Sequence, residues 1–175
     1  MRKLIAAAIS AVFLTGCSAG NISSRKYIRA VSVEEEKTSI AFYGEEGDKF
    51  TSADSPEKIC KTAEIGLGKS VFTGHTELII LGDCDYRENL EYFLTEWKVS
   101  PTCIVAYGGD NASYILREGD AEQLAESIRY AEEQGKAPES GIVDVLSGLM
   151  GEEKAAEIPV IDEFGFAGEL KITEK

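Results

Sequence analysis

The chain has 175 residues, 43% of them hydrophobic and 28% charged, a globular balance with enough length to bury a real core in one domain or two small ones. Its 18 basic and 31 acidic residues sum to −13, which argues against nucleic-acid binding and against attachment to anionic lipid by charge alone, since both need an excess of Lys and Arg. The single histidine, His75, leaves little for metal or triad chemistry that runs through imidazole.

Residues 1–17 read MRKLIAAAISAVFLTGC. Arg2 and Lys3 precede an apolar stretch from Leu4 to Leu14, which is the pattern of a secretory signal. Leu4 to Gly16 spans about 20 Å as a helix, against the roughly 30 Å of a bilayer core. Leu14-Thr15-Gly16-Cys17 resembles the lipobox of bacterial lipoproteins. That resemblance implies cleavage between Gly16 and Cys17 and lipidation of Cys17, which would tie the chain to the lipid bilayer. An ordinary signal with a chance cysteine is the alternative. Removing residues 1–16 takes away Arg2 and Lys3 and moves the charge from −13 to −15. Two acyl chains, at roughly 0.8 kcal/mol per CH₂, anchor such a body without basic residues. The organisation expected is therefore a signal peptide over 1–16, a lipidated tether over 17–25 and a folded domain over 26–175. Cys60, Cys84 and Cys103 remain, an odd set that allows one disulfide and a free thiol or three free thiols. Cys60 and Cys103 lie in apolar patterns and read as small core residues, and no disulfide framework is expected.

Tyr27–Val33 is rich in β-branched and aromatic residues and predicts a strand. Glu34-Glu35-Glu36-Lys37 breaks it, and Thr38–Tyr43 predicts the second arm of a hairpin. Gly44–Asp48 reads as a turn. Ser55-Pro56 opens a helix, with Ser at the N-cap and Pro at its first position. Ile59, Cys60, Ala63 and Leu67 form its buried stripe, and Gly66 and Gly68 end it. Thr76–Leu81 holds the run Leu-Ile-Ile-Leu, fit for a strand buried on both faces. Asp83 or Asp85 then caps a helix with Leu90, Phe93, Leu94 and Trp97 on one face. Pro101 closes the connection and Thr102–Tyr107 predicts another buried strand.

Gly108-Gly109-Asp110 is a turn, and Asn111 is placed to cap a short helix to Leu116. Asp120 with Gln123 matches a capping box and opens a helix bearing Leu124, Ala125, Ile128 and Ala131, which stops at Gly135. Ser140 is placed to cap a last helix with Ile142, Val145, Leu146 and Leu149 on one face. Ala155–Ile161 and Gly168–Thr173 predict closing strands. Helix and strand alternate through the middle, so the expected fold is α/β: a single compact domain with a mixed sheet and parallel neighbours at its centre. An α+β arrangement stays open.

The search for chemistry returns little. Gly68-Lys69-Ser70 looks like the end of a phosphate loop, but Ala63 stands where the first glycine belongs. A helix also precedes it where a strand is needed. His75 at a strand start borders a pocket or satisfies a local hydrogen bond. Asp83, Asp85 and Asp110 are the acids a small hydrolase would have to unite, and no nucleophile and base accompany them. No cofactor and no metal site are expected. Glu34-Glu35-Glu36 reads as a solvated loop or as the rim of a surface for a basic partner.

Residues Gly68–Gly82 read GKSVFTGHTELIILG and are followed by a helix to Trp97 and then by CIVAYGGDNASYIL, Cys103–Leu116. This order resembles the amino-terminal domain of the Ger(x)C family, the lipoprotein C subunit of spore nutrient germinant receptors. The lipobox agrees, and so does the Pro-containing tail Ile158-Pro159-Val160-Ile161. Ser18-Ala19 stands where the family often has Trp-Asp. The resemblance implies structural roles for Gly68, Gly74, His75 and Gly82 and no enzyme activity. It implies a subunit on the outer face of the cell membrane or inner spore membrane, acting in spore germination with two integral membrane receptor subunits, and no nucleic acid. A free-standing envelope lipoprotein that binds another membrane or wall component is the other binding reading.

Overall fold

The computed structural model describes residues 25–44 and 50–174. The signal segment, Gly16, Cys17 and most of the turn expected at Gly44–Asp48 lie outside the described residues. β1 (Arg25–Glu34) and β2 (Lys37–Phe42) form the expected hairpin, with Glu34 opposite Lys37 and a bulge between Ile28 and Ala30. β3 (Thr51–Ala53) pairs with β2, and α1 (Pro56–Leu67) follows it. β4 (Ser70–Phe72) runs parallel to the start of β1. Then come β5 (Leu78–Leu81), α2 (Tyr86–Tyr92), a π turn over Phe93–Trp97 and β6 (Ile104–Tyr107). A 3₁₀ turn at Gly109–Asn111 leads into α3 (Ala112–Glu118), α4 (Ala121–Glu133), α5 (Ile142–Met150), β7 (Ala155–Asp162) and β8 (Gly165–Thr173).

The strands form one mixed sheet in the order β3-β2-β1-β5-β6-β7-β8, with β4 added beside β1. β1, β5, β6 and β7 are parallel, and β2, β3 and β8 close the edges antiparallel. The α/β expectation holds. Parallel strands need both faces covered, and the burial pattern shows how this is met. Val31, Val33, Ile79, Leu81 and Val105 share a core with Ile59 of α1, Leu90, Phe93 and Trp97, and Ile142, Val145 and Leu149 of α5. Ala30, Leu78, Ile80, Ile104 and Ala106 share the opposite core with Ala112 and Ile115 of α3 and Leu124, Ala125 and Ile128 of α4. The second layer lies against small side chains, Ala30, Ser32, Ser39 and Ala41 on the hairpin, so α3 packs closely on β1 and β2.

Several local expectations are corrected. The strand expected from Thr76 begins at Leu78, because the N–H and hydroxyl of Thr76 both donate to the Thr73 carbonyl, at 3.0 and 2.7 Å, and close a turn. Gly66 lies inside α1, and Gly68 ends it alone with φ of 63°. Ser55 holds the N-cap position of α1 without a side-chain bond to it. Ser140 does not cap the last helix. Gly141 takes that place, and the N–H and hydroxyl of Ser140 donate to Glu132 at 2.9 and 2.5 Å. Asp120 and Asp85 do cap: Asp120 accepts from the Glu122 and Gln123 N–H groups, and Asp85 from that of Glu88. Cys103 is buried in the core as expected and Cys60 packs half-buried against it; these two and Cys84 are in no disulfide.

Candidate functional site

The chain leaves β5 for a helix on one face and leaves β6 for a helix on the other. In open α/β sheets the crevice outside the carboxyl ends of such strands is where ligands bind. Here the backbones close tightly: the Gly82 N–H donates to the Val33 carbonyl at 2.7 Å, and that of Gly108 to Leu81 at 2.9 Å. Glu34, at the end of β1, reaches across to α3. Its carboxylate accepts the Ser113 N–H at 2.9 Å and the Ser113 hydroxyl at 3.3 Å, and Lys37 donates to the same hydroxyl at 2.9 Å. Nucleotide-binding α/β proteins seat a phosphate on such a helix start. This chain fills the position with its own carboxylate. Glu34→Ala would leave the Ser113 N–H without that acceptor, and is expected to cost about 0.5–2 kcal/mol in thermal unfolding. Glu34→Gln should recover part of the loss.

On the other side of Glu34 lies a cavity of about 350 Å³ bordered by Glu34, Glu35, Asp54, Glu57, Asp85 and Glu88, with Cys84, Asn89 and Tyr92. Its lining contains no lysine or arginine, although Lys58 pairs with Asp54 from outside at 3.2 Å. Such a surface favours a cationic or basic partner. Among the described residues no group of three or more His, Cys, Asp or Glu is placed to hold a metal ion. Asp85 joins this crevice as a helix cap, while Asp83 and Asp110 are exposed and do not line it. The acids a hydrolase would need are therefore not gathered there.

The residues singled out by the family resemblance do not converge on one site. Gly82 lies at the carboxyl end of β5, whereas Gly68, Gly74 and His75 lie at the opposite end of the strands. Gly74 packs under the Phe72 ring and the Lys98 carbonyl, so its lack of a side chain admits both. The His75 ring stands 5.6 Å from Tyr27 and 5.3 Å from Phe72, and its carbonyl accepts the Tyr43 hydroxyl at 3.1 Å. Tyr27, Tyr43 and His75 border a shallow cavity of about 430 Å³, so His75 does border a pocket. Arg29 lies 4.3 Å over the Tyr43 ring and pairs with Glu122. The sequence reading missed this aromatic group and the Glu34 cap. The alternation of Tyr27 and Arg29 was a signal for the first; nothing local announces the second.

Burial pushes the Cys103 thiol up from 9.0 to about 12. Burial, then the Glu64 charge, pushes Cys60 up to about 11. Burial, then Glu77 beside it, pushes the Tyr43 phenol up from 10.0 to about 12. All three hold their protons more tightly folded than unfolded, so their contribution is complete below the unfolded pKa values and is lost as pH rises through the folded ones. Thermal stability is expected to fall from about pH 9 upward. Cys103 should resist alkylation at pH 8 until the chain unfolds.

The class defined by these features is a three-layer α/β/α domain with a mixed sheet, a self-capped helix start and an acidic crevice at the carboxyl ends of its parallel strands. No family model, curated protein or solved structure matches the chain.

Proposed function

We propose that the chain is a non-catalytic, lipid-anchored binding protein on the outer face of a bacterial membrane, serving as a subunit-like component of a spore nutrient germinant receptor. The observation that carries this reading is the lipobox Leu14–Cys17 followed, in order, by the Gly68–Gly82 and Cys103–Leu116 motifs. The acidic crevice supports a binding role, since it offers a basic protein surface the exposed carboxylates of Glu35, Glu57 and Glu88 along a lining that holds no lysine or arginine. Integral membrane subunits are the partners this reading implies. Lipid anchoring confines the domain to a thin layer beside them and raises its effective concentration, so a weak interface suffices. A mature charge of −15 sets phosphate backbones against it.

Cys17→Ala is expected to leave unprocessed precursor and to abolish labelling by a fatty-acid analogue; persistent labelling refutes the anchor. Crosslinking in sporulating cells should capture the chain with a multispanning partner, and deletion should impair nutrient-triggered germination. Recovery of an isolated monomer with normal germination refutes the receptor role. It would instead support the second reading, a free-standing envelope lipoprotein, which Ser18-Ala19 after the cysteine favours.

A further inference from the structure

We propose that β8 pairs with β8 of a second copy of this chain, antiparallel and centred on Leu170, so that the sheet continues across a twofold axis. The two edges of the sheet differ. β3 has three residues, whereas β8 has nine. A long unpaired edge is an open template for another strand, which folded proteins ordinarily cover or shorten. The hydrogen-bond pattern shows which groups of β8 are open. The Glu174 N–H donates to the Lys154 carbonyl at 3.1 Å, and in an antiparallel ladder every second opposed pair carries such bonds. The bonded pairs are then Ile172 with Ala156 and Leu170 with Ile158. Pro159 has no N–H to give, and it stands opposite Glu169 in the alternate row. The N–H and C=O groups of Glu169, Lys171 and Thr173 therefore point away from β7, and all three residues are exposed. The Phe166 N–H is taken by Ser127 Oγ of α4 at 3.0 Å, and a bulge leaves Ala167 unpaired. The open stretch is thus Glu169–Thr173.

Charge order names the partner. The open stretch begins Glu169-Leu170-Lys171, and this order complements itself when reversed. With the axis at Leu170, Glu169 of each copy faces Lys171 of the other, and the two exchange N–H and C=O groups because both present them outward. Opposite charges directly across a strand pair attract and like charges repel. An axis one residue earlier or later sets Glu169 against Glu169 or Lys171 against Lys171, so charge selects the register. Lys171 already donates to Glu153 at 2.9 Å and lies opposite Glu157. Its ammonium has three donors, so Glu169 of the second copy completes a row of acid, base and acid across the sheet. Glu169 makes no ion pair of its own among the described residues. Leu170 lies on the other face. Its neighbours there, Ile158 and Ile172, are buried, while Leu170 is 38% exposed. At the axis the two Leu170 side chains cover one another. The net charge of −13 repels a second copy at long range, but salt screens that beyond about 10 Å, and the contact brings opposite charges well inside that distance. The same patch serves on both copies and closes on itself, so the product is a dimer with no open β8 edge. The pairing depends on neither the lipid nor the acidic crevice.

The test uses the full chain expressed with its own amino terminus. Leu170→Cys places two thiols across the axis with Cα atoms about 4.5 Å apart, which a disulfide spans. Oxidation with copper phenanthroline is expected to give a disulfide-linked dimer above the level of the parent chain, which keeps Cys17, Cys60, Cys84 and Cys103. Glu169→Cys alone and Lys171→Cys alone should not crosslink, because like positions across the axis stand more than about 7 Å apart. The two variants expressed together should. In the Leu170→Cys background, Glu169→Lys turns two attractive pairs into two repulsive ones and should slow crosslinking roughly tenfold. Adding Lys171→Glu to it should restore the rate. Trp97 emission matching that of the parent shows that each variant is folded. Crosslinking at 170 no faster than that of Ile65→Cys, which is 75% exposed on α1, marks random collision and overturns the pairing. A folded Leu170→Cys chain that stays monomeric, or that links instead to a different protein, overturns it as well. Dimers of Glu169→Cys or Lys171→Cys alone, or a charge exchange without effect, overturn the axis at Leu170.

Discussion

Ile79→Ala and Ile80→Ala are each expected to lower the stability of the domain by about 2–5 kcal/mol, through different layers of the same strand. Both side chains are fully buried. Ile79 points into the core shared by α1, the π turn and α5, and Ile80 into the core shared by α3 and α4. Interiors are close-packed, so each truncation loses the transfer free energy of the removed groups and leaves a cavity that the neighbours only partly fill. Denaturant titration should show both losses with little change in slope. A second reading separates the layers. Trp97 is the only tryptophan and shares its core with Ile79, so Ile79→Ala should change its emission and Ile80→Ala should leave it nearly unchanged. Melting curves unaltered by both substitutions would refute the central placement of β5.

Gly82→Ala is expected to cost about 1–3 kcal/mol or more by overpacking. A Cβ there would stand 2.8 Å from the Glu34 Cγ, 2.9 Å from the Gly109 carbonyl oxygen and 3.2 Å from that of Val33. Two of these three neighbours are backbone atoms held in strand and turn, so they yield little. The third belongs to the carboxylate that caps α3, so the substitution also pushes Glu34 off Ser113. Gly66→Ala is the control. It lies inside α1, nothing stands within 4 Å of its added Cβ, and it should stabilise by about 0.5–1 kcal/mol through reduced freedom of the unfolded chain. If Gly82→Ala proves as harmless as Gly66→Ala, the close approach of β1, β5 and the Gly108–Gly109 turn is wrong.

The acidic crevice lies at the carboxyl end of β1 and β5, bordered by the first turns of α1 and α2. On the proposed binding role, capture of a basic partner at this crevice should weaken when Glu35, Glu57 and Glu88 are changed to Lys together. These exposed side chains leave the core untouched.

Much of this domain is legible in its sequence. Leu-Ile-Ile-Leu at 78–81, four residues between Glu77 and Gly82, fits a short strand with both faces buried, the pattern of a covered parallel strand. Helical spacing located Leu90, Phe93 and Trp97, and likewise Ile142, Val145 and Leu149, on faces that prove to be buried. Asp85 and Asp120 were readable as caps because a cap and the N–H groups it serves are two or three residues apart. What only the tertiary structure decided is of a different kind. β3 and β4 are three residues each, too short to carry a period, and exist through their pairing with β2 and β1. Amphipathic spacing says that a helix buries one face but not which side of the sheet receives it, so the division of α1, α2 and α5 from α3 and α4 came from packing. Asn111 looked like the cap of α3 because the local pattern fits. The acceptor is Glu34, 79 residues away from Ser113. Capping needs only an oxygen at the right point in space, and a long-range contact leaves no periodic trace in the sequence that forms it.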